Sequence, residues 1–159
     1  MNTTTIQQWH IRKAVPADGR RICEMLFMLK TLYASTPANN PQEFLPLHLP
    51  VVQQALELPQ NLVLVAYKLD GELIGFISLT IRTVLRIPSP LGSIEEIFVC
   101  SEYRKCGIGT ALWKKAAVVL HQQGVSRVEV ISSLAHPGQR QFAKSIGMEW
   151  YSSVQVLTV

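Results

Sequence analysis

CSEYRKCGIGTAL, residues 100–112, is the stretch on which the reading of the chain turns. An arginine and a lysine precede two glycines set one residue apart, the apolar run 97–99 stands just before them, and a helical pattern follows at once. The first amides of a helix have no intrahelical partner and lie at the positive end of its dipole. Glycine lets an anion approach such amides without a Cβ in the way. Residues 104–109 therefore read as an anion cradle suited to a diphosphate, or as a plain strand-to-helix turn whose glycines serve close packing. The string is no G-x-x-x-x-G-K-[ST] loop, and the dinucleotide spacing G-x-G-x-x-G fails at Leu112.

Downstream, Ile108, Leu112, Ala116, Val119 and Leu120 make an apolar helical stripe that ends at Gly124. Upstream, IEEIFVC (94–100) reads as a strand, and NLVLVAYKL–DG–ELIGFISLTI (61–81) as a hairpin on a type I′ turn at Asp70-Gly71. Ile22, Met25, Leu26, Leu29 and Leu32 recur at helical spacing, giving a first helix over 16–33, after the short strand WHIRKAV. The proline-rich stretch 36–50 predicts an irregular loop, with a short helix over 51–58. SRVEVISS predicts a strand, PGQRQFAKSIG a helix, and WYSSVQVLTV a closing strand. The order β-α-(α)-β-β-β-α-β-α-β predicts an α/β chain: a mixed, mostly antiparallel sheet flanked by helices, whose middle β-α-β gives a parallel pair.

Length, 159 residues, predicts one domain over 1–159 with a single substantial core. The formal charge of +4 is scattered, with no basic run interleaved with aromatics, so no nucleic-acid partner is expected. Three cysteines without C-x-x-C spacing indicate neither a metal site nor a disulfide framework. With no apolar h-region and no run of membrane-spanning length, the expected setting is cytoplasmic, with no membrane contact.

IEEIFVCSEYRKCGIGTALWKKA resembles the acetyl-CoA-binding motif of the GNAT N-acetyltransferase superfamily, roughly hydrophobic-E-[DE]-hydrophobic-hydrophobic-V-x-x-x-x-[RQ]-x-x-G-x-[GA]. Ile94, Glu95, Glu96, Ile97, Phe98, Val99, Arg104, Gly107 and Gly109 carry the match. IRKAVPADGRRICEML resembles the family's first strand and helix, YKLDGELIGFISL its central hairpin, and VEVISS with QRQFAKSIGM its last α/β unit. The resemblance implies a GNAT-like fold with a splayed parallel pair, and acetyl transfer from acetyl-CoA to a primary amine of a small molecule or peptide by direct attack. It implies that the amides of Arg104, Lys105, Cys106, Gly107, Ile108, Gly109 and Thr110 hold the CoA diphosphate. Main-chain groups of Ile97, Phe98 and Val99 would meet the pantetheine arm, with Val99 aiding the oxyanion, and Phe142 and His136 would complete the cofactor site.

An amine titrating at ~10.4 must lose a proton before it attacks, which requires a base or a water chain. Glu95 and Glu96 are the base candidates; neighbours on a strand face opposite ways, and similarity to polyamine and aminoglycoside acetyltransferases favours Glu95. Both also read as solvated strand charges. Many relatives place a tyrosine in the last helix to protonate the departing thiolate. Here the matching residue is Ala143, and His136 or Tyr151 are the substitutes, each with a plain packing alternative. Phe44 and His48, with Glu43, fall where relatives build the acceptor pocket. A CoA-binding sensor that has lost its proton-transfer groups is the alternative function, and a longer acyl group is open. No metal is expected, and the terminal apolar strand leans the reading toward a homodimer.

Overall fold

The computed structural model describes residues 9–33, 40–130 and 137–149. Strands β1 (Trp9–Lys13), β2 (Asn61–Lys68), β3 (Leu73–Arg82), β4 (Leu91–Val99) and β5 (Arg127–Val130) form one sheet in that order. The first three pairings are antiparallel, and β4 runs parallel to β5. Helices α1 (Gly19–Tyr33), α2 (Pro41–Glu57), α3 (Ile108–Gln122) and α4 (Pro137–Ser145) flank it. The mixed sheet with its parallel pair is the architecture that the order of patterns predicts. The expected closing strand lies outside the described residues.

Side chains alternate across a strand, so each inner strand feeds two cores. On β2, Val63 and Val65 join Ile22, Met25, Phe44 and Val52 beneath α1 and α2. Leu62, Leu64 and Ala66 point the other way, toward Ile108, Leu112, Ala116 and Leu120 of α3. Leu112 and Leu120 are fully buried; each such side chain contributes about 1.5–3 kcal/mol over exposure. Two register breaks interrupt the alternation, one between Ala66 and Tyr67 on β2 and one opposite Ser78 and Leu79 on β3. In the second, Ser78 faces Glu96 while Leu79 faces Ile94, which leaves Glu95 as the extra residue of a bulge on β4.

The β1–α1 junction is fixed electrostatically. Asp18 is buried at the end of a 3-10 turn (Pro16–Asp18) and accepts from Arg12 Nη1 at 2.6 Å, Arg12 Nη2 at 2.9 Å and the Val15 amide at 2.8 Å. Burial alone would raise its pKa. The Arg12 and Val15 bonds overcome that, and the carboxyl titrates below its usual range.

Two local expectations are corrected. The hairpin turn is not type I′, because among the described non-glycine residues only Lys105 has a positive φ, so Asp70 does not. Instead the Gly71 amide bonds to the Lys68 carbonyl and Gly71 takes φ +89°. That is the three-residue loop in which a turn is followed by a left-handed glycine. The second correction concerns 36–50: its described part, from Asn40 on, is the capping residue and first ten residues of α2, not an irregular loop. Asn40 caps the helix by accepting from the Gln42 amide at 3.0 Å, and Pro41 occupies the first turn, where its missing NH costs nothing. Pro46 and Pro50 sit on the exposed face, where water solvates the carbonyls they leave unpaired. Burial of Phe44 and Val52 on the opposite face outweighs the proline penalty.

Candidate active site

β4 runs out at Val99, and a 3-10 turn (Ser101–Tyr103) carries the chain toward α3. Lys105 then adopts φ 62° and Gly107, the residue capping α3, adopts φ 80°. These two left-handed residues turn the backbone into the start of α3. The Ala111 amide takes the Gly107 carbonyl at 3.0 Å, but the amides of 105–110 find no acceptor among the described residues. Unpartnered donors in this loop and at the helix N-terminus suit an anion.

The amides border a cavity of about 430 Å³. Residues 97–99 of β4 form one wall, Phe142 and Gln139 of α4 another, and Leu29 and Leu32 of α1 close it. A Cβ on Gly109 would lie 3.5 Å from the Phe142 ring and 3.9 Å from Ile97 Cδ1, so the glycine faces both walls without crowding them. Arg104, Lys105, Gly107, Ile108, Gly109 and Thr110 all line the cavity. Cys106 does not; its exposed thiol donates to the Arg104 carbonyl at 3.5 Å. Tyr103, Gln141 and Ser145 also line it, and nothing in their sequence context marks them. Leu29 and Leu32 read from sequence as core positions of α1, a role that Leu29 also plays.

The described pairing of β4 with β5 ends at Ile94 opposite Val130. Beyond it, β4 presents Glu95, Glu96 and the cavity wall 97–99.

Comparison with known proteins agrees with this geometry. The model of the acetyltransferase (GNAT) family matches residues 27–148. The chain belongs to the GNAT acetyltransferase family. An uncharacterized N-acetyltransferase of Methanocaldococcus jannaschii is 31% identical over 83 residues, 52% of this chain; the match spans 37% of that relative's length. Among solved structures, an aminoglycoside antibiotic 6′-N-acetyltransferase from Acinetobacter baumannii superposes with a TM-score of 0.73 at 20% identity, over 95% of this chain and 97% of its own. A ribosomal-protein-alanine N-acetyltransferase from Brucella melitensis biovar Abortus gives 0.75 at 18% identity, over 95% and 99%. At these identities the likeness is one of fold. GNAT enzymes use acetyl-CoA as cosubstrate. Among the described residues, no group of three or more acidic, histidine or cysteine side chains is placed to hold a metal, and no helix is long and apolar enough to cross a membrane.

Against the GNAT frame, the two candidate bases separate. Glu95, in the bulge, is exposed. Glu96 is half-buried and opposite Ser78, and strand alternation puts it on the face of Phe98, beneath α1 and α2. Burial first, and then the charge of Glu95, raise the Glu96 pKa above the usual carboxylate range. Neither carboxylate pairs with a cation among the described residues. Phe44 is buried at the α1–α2 contact, edge-on to Phe27 at 5.3 Å, and the His48 ring stacks on it at 3.6 Å. Neither lines the cavity: Phe44 lies on the buried face of α2, and the His48 ring is held by the Phe44 carbonyl at 3.0 Å. Glu43 is exposed on the first turn of the same helix. Ala143 is half-buried on α4 and brings no hydroxyl. His136 and Tyr151 lie outside the described residues.

Proposed function

We propose that this chain is an acetyl-CoA-dependent N-acetyltransferase that acts on a primary amine of a small molecule or peptide in a ternary complex. The observation that carries the reading is the row of unpartnered amides over 105–110 bordering a cavity walled by 97–99 and Phe142. The fit to CoA is chemical. A diphosphate needs several donors and no carboxylate, and the cavity lining supplies unpartnered amides and the Lys105 cation. A pantetheine arm is apolar with two amides, and the wall offers Ile97, Phe98 and the backbone edge of β4.

The bound thioester supplies an activated acyl carbon and a thiolate leaving group whose conjugate thiol has a pKa of about 8.5. The chain's own residues do the rest. The cradle fixes one end of the cosubstrate, which converts the encounter with the amine into a positioned attack. Backbone NH groups of β4, that of Val99 among them, stabilise the developing oxyanion. Glu96 takes the amine proton, directly or through water. Its raised pKa brings it closer to the neutral range in which a base works best, and Glu95 adds negative charge that attracts a cationic acceptor. His136 is the candidate donor to the thiolate. The two named solved neighbours act on an aminoglycoside and on ribosomal-protein alanine, so an amine acceptor of either size suits the fold.

The test is release of free thiol from acetyl-CoA in the presence of polyamines, aminoglycosides, amino acids and peptides with free N-termini. Turnover on one class, with a pH–rate profile whose acidic limb moves in Glu96→Gln and stays in Glu95→Gln, supports both the activity and the base. A second reading, a CoA-binding sensor, draws on Ala143, which leaves α4 without the family's tyrosine. CoA binding with no turnover on any acceptor selects that reading.

A further inference from the structure

The side chain of Arg104 does not point its charge freely into the cavity. Its Nε donates to the Val99 carbonyl at 2.9 Å, and its guanidinium carbon lies 5.6 Å from the centre of the Phe98 ring. The direction of that carbonyl matters. The Cys100 amide bonds to the Ile74 carbonyl at 2.9 Å, so the main-chain groups of residue 100 face β3. In an extended chain consecutive residues present their NH and C=O groups to opposite edges, so those of Val99 face away from β3, toward the β5 side where described pairing has ended. The Arg104 bond thus lands on the edge of β4 that faces away from β3, on the last residue of the wall.

The same bond closes the segment from Val99 to Arg104 into a ring around the 3-10 turn, immediately before Lys105. Lys105 is the one described non-glycine residue in the left-handed region, a conformation that persists only where the surroundings hold it. The residue before it, Arg104, is anchored to Val99, and two residues after it Gly107 caps α3.

We propose that Arg104 is a positioning residue: through the Val99 carbonyl it ties the diphosphate cradle to the strand edge along which the pantetheine arm lies, and so fixes the distance between the two halves of the CoA site. This deepens the reading of the site as a CoA site and rests on it. The chemistry of the tie is an N–H donor at a set reach, and the positive charge is secondary. Glutamine places its Nε2 the same number of bonds from Cα as arginine's Nε, without charge. Lysine keeps the charge but has a methylene at that place.

The experiment titrates the full chain, wild type and the variants Arg104→Gln, Arg104→Lys and Arg104→Ala, with intact CoA, ADP and pantetheine by calorimetry. A tie couples the two halves and leaves each half its own contacts. Arg104→Lys and Arg104→Ala are therefore expected to weaken intact CoA by up to about tenfold, the upper range for one hydrogen bond, while Arg104→Gln stays within about twofold of wild type. ADP and pantetheine affinities are expected to change by less than about twofold throughout. If Lys keeps CoA affinity and Gln loses it, or if ADP weakens as much as CoA in the Gln variant, the side chain acts as a charge on the diphosphate and the tie is refuted. Equal CoA affinity in all four proteins refutes it too. Failure of the wild type to bind CoA instead overturns the proposed function, and the tie with it. Arg104 is exposed, so the fold should survive; should Arg104→Ala not fold, the Lys and Gln pair decides the question alone.

Discussion

Alanine at Gly107 and alanine at Gly109 should change stability in opposite directions, although the two positions are only two residues apart. Gly107 has φ +80°, and a Cβ built there meets nothing within 4 Å. The entire cost of alanine at that site is therefore backbone conformation, about 1–2 kcal/mol for an L-residue held left-handed. Loss of freedom in the unfolded chain returns about 0.4–1 kcal/mol, and with both ranges at their centres the net destabilisation is about 0.8 kcal/mol. For a chain of this size that lowers Tm by about 2–3 °C. Gly109 lies inside α3 without a positive φ, and its added Cβ meets Phe142 at an ordinary 3.5 Å. Alanine there should be neutral or stabilising by up to about 1 kcal/mol. Asn at Gly107, which tolerates the left-handed region better than Ala, should recover part of the loss while placing a side chain at the cradle. Differential scanning calorimetry of the three variants, with and without CoA, separates strain from ligand contact. Gly107→Asn is expected to regain Tm but not CoA affinity, which should remain at least about fivefold weaker. An alanine at Gly107 as stable as wild type, or one at Gly109 that is the more damaging of the two, refutes this account of how the loop is built.

Glu96→Gln should raise stability in urea at pH 8 and make little difference at pH 4. A carboxyl whose folded pKa is raised keeps its proton more tightly in the native state, so wild-type stability falls as pH climbs from the unfolded value through the folded one, and glutamine removes that loss. The same substitution should depress turnover, and a gain in stability confined to acid pH would contradict the burial argument. Asp18→Asn should cost about 1–2 kcal/mol at neutral pH, since Arg12 is partly exposed and its pairing is discounted by solvent. The lowered carboxyl pKa means that Asp18 stabilises the wild type above the ordinary Asp value and loses that effect as pH falls through the folded one; the gap between wild type and variant should therefore close in acid, as read by thermal scans. Pro50→Ala should stabilise the protein by about 1–2 kcal/mol, because Pro50 sits on the exposed face inside α2; a loss instead would show that the proline shapes the helix rather than burdens it.

What could be read from the chain alone was whatever depends on neighbours in sequence. The glycines at 107 and 109, the cations before them and the apolar stripe behind them identify the cradle, because amides at a helix start are a local consequence of the helix. Period-two and period-3.6 patterns found β2, β3, β4, α1 and α3 for the same reason. The hairpin was legible but its turn type was not, since Asp-Gly suits several loops and the cross-strand register chooses among them. In α2 the prolines argued against a helix, and only the docking of Phe44 and Val52 against α1 and the sheet could outweigh them. That same docking buries Phe44 against α1, while the residues of α1 that reach the cavity, Leu29 and Leu32, read in the sequence only as core positions. Alternation on β4 predicted that Glu95 and Glu96 would part, but a bulge set against β3 decided which of them is exposed and which is half-buried. A bulge is a mismatch between two strands, and one strand's sequence does not contain it.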